Sequence, residues 1–186
     1  MPLISLKDVK MKYLKCLPLT LDIEKNDLII FYGDNGAGKS TFIKLILKFM
    51  KPQQGLIKHE KIKVSYIPEV CFLPSTLSVL EYIDVLQVTF KQHLEKQYLE
   101  IFDVPLTETI KKLSKGNRQK VSIITSTISN PDFLIFDEPL SGFDSKNSKL
   151  YKKFIKILLK NNKTVLISTH KPSLFKDIAT KMVEIC

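Results

Sequence analysis

Gly33-Asp34-Asn35-Gly36-Ala37-Gly38-Lys39-Ser40-Thr41 constrains this chain more than any other stretch of it. It fits the phosphate-binding loop pattern G-x-x-x-x-G-K-[ST]. The apolar run Leu28 to Tyr32 before it reads as a buried strand, and a helix is predicted from Lys39 to Met50. Strand, glycine turn and helix in that order point to a parallel α/β sheet. Gly33, Gly36 and Gly38 let the backbone turn back so that its N–H groups face one concavity. The following helix aims its positive end at the same point. In such a loop Lys39 reaches the β- and γ-phosphates, and the Ser40 hydroxyl ligates Mg2+.

A second constellation is Phe133-Leu134-Ile135-Phe136-Asp137-Glu138-Pro139. Its apolar run predicts a strand that delivers Asp137 to the carboxyl end, where α/β sheets place ligands. Asp137 can hold Mg2+ through water, and Glu138 is a candidate general base for an attacking water. Alone, the pair reads first as an acidic turn after a strand. The rest of the chain fits the same architecture. Residues 3–7, 17–23 and 62–67 read as strands, the last from period-two alternation. Lys51 to Gly55 reads as a turn. Helices are predicted from Ser75 or Thr76 to Phe90, Gln92 to Phe102, Ser114 to Ser129, Lys146 to Lys160 and Pro172 to Ala179. Thr164 to Ser168 and Met182 to Ile185 complete the strands.

Taken together, these residues resemble the ATP-binding cassette family, over nearly the whole chain. The phosphate loop comes first. Leu113-Ser114-Lys115-Gly116-Asn117 is similar to the family's LSGGQ signature, and Asp137-Glu138 to its magnesium aspartate and catalytic glutamate. Ser141-Gly142-Phe143-Asp144 is similar to the loop by which two cassettes touch, and Ser168-Thr169-His170 to the segment bearing the switch histidine. The resemblance implies an α/β P-loop NTPase fold with a mainly parallel core sheet. It adds an N-terminal antiparallel β region and a helical subdomain at about 71–130, inserted in a single ATPase domain spanning 1–186.

It also implies the chemistry. ATP and Mg2+ are the expected ligands, and ATP hydrolysis the expected activity. Residues Gly33 to Thr41, with Asp34, Asn35 and Ala37 among them, hold the phosphates, and Tyr13 stacks on adenine. Ser40, Asp137 and Glu69 serve the metal. Lys39, Glu69, Glu138 and His170 serve catalysis, with His170 bonding the γ-phosphate. Ser114 and Gly116 complete the site of a second cassette, identical or closely related. In isolation Ser114 reads first as a helix cap and His170 as a packed histidine. Two departures stand out: Glu69 occupies the usual place of Gln, and Lys115 and Asn117 replace Gly and Gln of the signature. Pro68-Glu69 and Leu-Ser-Lys-Gly resemble cassettes of bacterial ABC-2-type exporters, so export is expected.

Composition narrows the setting. No apolar run approaches the ~20 residues that span a bilayer. The N-terminus lacks a basic stretch followed by a long apolar run, which predicts no signal peptide. A transporter cassette would therefore act through a separate transmembrane permease subunit, on the cytoplasmic face of the membrane. Cys16, Cys71 and Cys186 have no pairing or metal spacing and read as reduced thiols. The net charge is +10, but lysine carries it, with arginine only at Arg118. Base readers lean on arginine, so no nucleic-acid partner is expected. The competing class is a soluble cassette acting on nucleic acid or the ribosome.

Overall fold

The computed structural model describes residues 1–11 and 18–185. Its core is a five-stranded parallel sheet, and beside it lies a three-stranded antiparallel sheet. The antiparallel sheet joins β1 (Ile4–Lys10) to β2 (Leu19–Ile23) on one side and to β4 (Gln54–His59) on the other. The parallel sheet runs β5-β6-β7-β3-β8. Its strands are β3 (Leu28–Tyr32), β5 (Val64–Ile67), β6 (Phe133–Asp137), β7 (Thr164–Thr169) and β8 (Lys181–Glu184).

β6 and β7 are buried at every residue, because helices or strands cover both faces of the sheet. Successive side chains therefore enter opposite cores. Leu28, Ile30, Leu134, Phe136, Val165 and Ile167 join the helical side. Ile29, Phe31, Phe133, Ile135 and Leu166 join the side that also holds the antiparallel sheet. Helix α1 (Lys39–Ile46) buries Phe42, Ile43, Leu45 and Ile46 in that second core. Helices α2 (Val79–Phe90), α3 (Lys96–Phe102), α4 (Lys115–Thr125) and α5 (Ser145–Lys160) supply the first.

Several boundaries differ from the sequence-based expectation, each for a local reason. β4 occupies a stretch expected to be partly turn. It is largely exposed and carries no clean alternation, so only its pairing with β1 makes it a strand. Gly55 permits that approach: with φ 87, an added Cβ there would lie 2.4 Å from the carbonyl oxygens of Lys7 and Asp8. α1 ends at Ile46 rather than Met50, with Lys48 turning to φ 60. α4 stops at Thr125 rather than Ser129. The hydroxyls of Thr125, Ser126 and Thr127 donate back to the carbonyls of Val121, Ile123 and Ile124, which offers the backbone an alternative to continued helix. Pro172 to Ala179 forms only a short 3-10 turn at Pro172–Leu174.

This topology gathers the chemistry. The phosphate loop leaves β3, Pro68-Glu69 leaves β5, Glu138 leaves β6 and His170 leaves β7. All are carboxyl ends of parallel strands, the edge on which open α/β sheets place ligands.

Candidate active site

The turn from β3 into α1 is built by glycines that no other residue would replace without strain. Gly33 has φ 144, and an added Cβ would meet the Ile185 carbonyl oxygen at 2.0 Å. Gly38 caps α1 in the left-handed region, with φ 104. The loop opens on a cleft of about 470 Å³. Asn35, Gly36, Gly38, Lys39, Ser40 and Thr41 form one wall. Glu69, Glu138, Ser141 and His170 form the other. Gly33, Asp34 and Asn35 also border a second hollow beside His170. Ala37 packs into the core beneath the loop.

Lys39 is 6% exposed. Its Nζ donates to the carbonyls of Gly33 at 2.8 Å and Asp34 at 3.1 Å, and stands 3.4 Å from Glu138 Oε1. The other oxygen of Glu138 lies 3.0 Å from His170 Nδ1. Glu138 thus sits between the loop lysine and the histidine. Its backbone has φ 48, a conformation that persists only when surroundings enforce it. They do so here: its N–H donates to the Ser168 hydroxyl at 2.9 Å and to the Ser168 carbonyl at 3.2 Å.

Asp137 is buried at the end of β6 with both carboxylate oxygens engaged. Ser168 donates to one and Tyr66 to the other, the latter at 3.3 Å. Burial, together with the charge of Asp137, pushes the Tyr66 phenol up to about 12, so it remains a neutral donor. Ser168 and Tyr66 were not among the expected site residues. Ser168 meets Asp137 because parallel pairing of β6 with β7 sets them side by side, and nothing local in the sequence encodes that register.

Among the described residues no three His, Cys, Asp or Glu side chains converge as a metal cluster. Mg2+ takes hard oxygen donors, and proteins that bind it through a nucleotide usually supply one or two of them beside the substrate phosphates. A hydroxyl at Ser40 and a fixed carboxylate at Asp137 are the hard oxygen donors such an ion takes, so the residues present fit it.

Two expected groups stand apart from the cleft. Ser114 caps α4, its Oγ accepting the Asn117 N–H at 3.2 Å, and it does not line the cleft of its own chain. Gly116, on the first turn of α4, is not among the residues lining that cleft either, and a Cβ added to it would lie 3.5 Å from the Gly142 carbonyl oxygen. Tyr13 falls outside the described residues. No helix among the described residues is long and apolar enough to cross a membrane.

Comparison with known proteins agrees with this geometry. The family model described as ABC transporter matches residues 16–141. The high-affinity zinc uptake system ATP-binding protein ZnuC of Bacillus subtilis is 32% identical, covering 100% of this chain and 91% of that protein. The zinc import ATP-binding protein ZnuC of Rickettsia conorii is 31% identical, covering 91% of this chain and 76% of that protein. A solved structure of a putative metal-chelate type ABC transporter in an inward-facing conformation superimposes with TM-score 0.83 at 25% identity, over 100% of this chain and 80% of that one. The relatives' names speak of import and uptake, which overturns the export expected from Pro68-Glu69 and the Leu-Ser-Lys-Gly signature. A phosphate loop facing a Glu–His pair, in a chain whose sequence and fold match these relatives over most of their length, leaves one assignment: the chain belongs to the ABC transporter family and is its ATP-binding, ATP-hydrolysing subunit.

Proposed function

We propose that this chain works as one of a pair of cassettes that close on ATP and reopen on hydrolysis, driving a separate transmembrane permease subunit. The observation that carries the pairing is the position of Ser114. It caps a helix whose N–H groups suit phosphate, yet it does not line the cleft that holds Lys39 and Glu138. A second cassette, identical or closely related, would bring the two together, each Ser114 and Gly116 serving the nucleotide on the other's phosphate loop. Such help supplied in trans is worth roughly 10³–10⁵ in rate in other phosphoryl-transfer enzymes.

Within one cleft the roles divide by chemistry. The N–H groups of residues 33–41 and the Lys39 ammonium bind and orient the phosphates. Glu138 takes the proton of the attacking water, and His170, 3.0 Å away, holds that carboxylate and reaches toward the γ-phosphate. Ser40 and Asp137 would hold Mg2+, which when bound neutralises developing charge on the phosphates. Glu69 lines the same cleft and adds negative charge beside that ion. Tyr13 remains the candidate for the adenine ring. The helical segment at about 71–130 is an insertion in a single ATPase domain, 1–186.

The permease would dock beside Glu69. A groove there is lined by Pro68, Leu73, Tyr82, Leu86 and Phe90, with Phe72 at its rim 88% exposed. Exposed apolar surface of this kind marks interaction sites. Docking would hold the chain at the inner face of the membrane. The names of the relatives support uptake as the direction, with a divalent metal as the first cargo to test.

Light scattering with ATP tests the pairing. Glu138→Gln should bind ATP, hydrolyse it very slowly and accumulate as a dimer. Ser114→Arg in that background should restore the monomer with ATP still bound. A Glu138→Gln protein that binds ATP yet stays monomeric at high concentration would sink the pairing of identical chains.

A further inference from the structure

Helix α4 begins with Lys115, and its first turn holds no acidic residue. A cation there opposes the positive end of the helix macrodipole, so helix stability gives no reason for it. Lys115 instead reaches across to the loop after Glu138. Its Nζ donates to Ser141 Oγ at 3.1 Å. Its stem lies over Gly142, where a Cβ would come 3.4 Å from Lys115 Cδ. Gly116 borders the same loop: a Cβ added there would lie 3.5 Å from the Gly142 carbonyl oxygen.

Ser141 faces the cleft with Lys39, Glu138 and His170. Its N–H donates to the Glu138 carbonyl at 3.1 Å and so closes the turn that holds Glu138 in its strained conformation. An ammonium has donors only, whereas a hydroxyl has one proton and two lone pairs. With Lys115 on a lone pair of Ser141, the hydroxyl proton is left to point elsewhere.

We propose that Lys115 is a positioning residue for hydrolysis, fixing Ser141 so that its hydroxyl donates into the cleft toward a phosphate oxygen and holding the Glu138 turn against α4. The proposal rests on the reading of this cleft as the ATP site. It gives the lysine that replaces a signature glycine a task inside its own chain, at the helix end whose Ser114 faces the other cassette.

Steady-state ATP hydrolysis by the full chain tests it, using Lys115→Met, Lys115→Arg, Ser141→Ala and the double variant Lys115→Met/Ser141→Ala. Lys112→Met, an equal charge change at a residue paired with Glu108 and outside the cleft, is the control. Lys115→Met and Ser141→Ala should each lower kcat about tenfold, the worth of one hydrogen bond to a charged group, with KM unchanged. The double variant should be no worse than either single one, Lys115→Arg should recover most of the rate, and Lys112→Met should match the wild type. Additive losses, a change confined to KM, or full activity in Lys115→Met would overturn the proposal. Glu138→Gln in the same assay separates the two readings. Full hydrolysis by Glu138→Gln would remove the site assignment itself, and this proposal with it. Lost hydrolysis there beside an unaffected Lys115→Met would remove the positioning role alone.

Discussion

His170 Nδ1 stands 3.0 Å from Glu138 Oε2, while Oε1 of the same carboxylate faces Lys39 Nζ at 3.4 Å. One carboxylate is thus shared between the end of β7 and the phosphate loop. Glu138→Gln should lower kcat by about 10²–10⁴, the usual worth of a general base. His170→Ala should lower it too, and the double variant should fall short of the product of the two, because the residues act as a unit. Single-turnover hydrolysis checks this, and independent, multiplying losses would argue against a coupled pair.

Lys39 is held by loop carbonyls at 2.8 and 3.1 Å, so its ammonium is fixed within the loop that borders the cleft. Lys39→Ala should weaken ATP binding roughly ten- to a hundredfold, as expected for loss of a charge-assisted contact of about 1.5–3 kcal/mol. Titration calorimetry with and without Mg2+ reads it directly. Unchanged affinity would remove the loop from the site.

Tyr151 is wholly buried on α5, ringed by Phe136, Phe143, Phe154 and Phe175. Its hydroxyl has no hydrogen-bond partner among the described residues, and burial raises its pKa well above that of free tyrosine. Tyr151→Phe should therefore be neutral or stabilising by about 1 kcal/mol, since it removes an unpaired polar group. Tyr151→Ala should cost about 3–5 kcal/mol through the cavity it leaves. Urea midpoints at constant m-value distinguish them, and clear destabilisation by Tyr151→Phe would mean the hydroxyl has a partner.

Asp27 joins the start of β3 to β8, accepting from Lys181 Nζ at 2.7 Å and from the Glu24 N–H at 2.8 Å. Burial alone would raise its pKa. The bonds from Lys181 and from the Glu24 N–H, with the charge of Lys181, outweigh that and hold the carboxyl below its ordinary value. A depressed folded pKa means stability that is present above the unfolded value of about 4 and lost as pH falls through the folded one. Asp27→Asn should cost about 1–3 kcal/mol at pH 7 and flatten the acid limb of the stability curve. Thermal unfolding at pH 7, 5 and 3.5 would show the difference shrinking toward the acid end, and a constant difference would assign the effect to packing.

The phosphate loop and strands β3 and β6 were legible because each is written in consecutive residues. A strand buried on both faces is a solid apolar run, and a loop that must turn its N–H groups inward needs glycines at fixed places. The carboxylate pair at the end of β6 was legible for the same reason. β4 was not, because Gln54 to His59 is exposed and becomes a strand only through its ladder with β1. Nor were the Ser168 hydroxyl on Asp137, the Tyr66 phenol beside it, or Lys115 on Ser141, partners 31, 71 and 26 residues apart. Burial and turn chemistry act on neighbours along the chain and leave a local pattern. The meeting of side chains across elements follows from strand order and register, which the chain acquires only when its parallel sheet assembles.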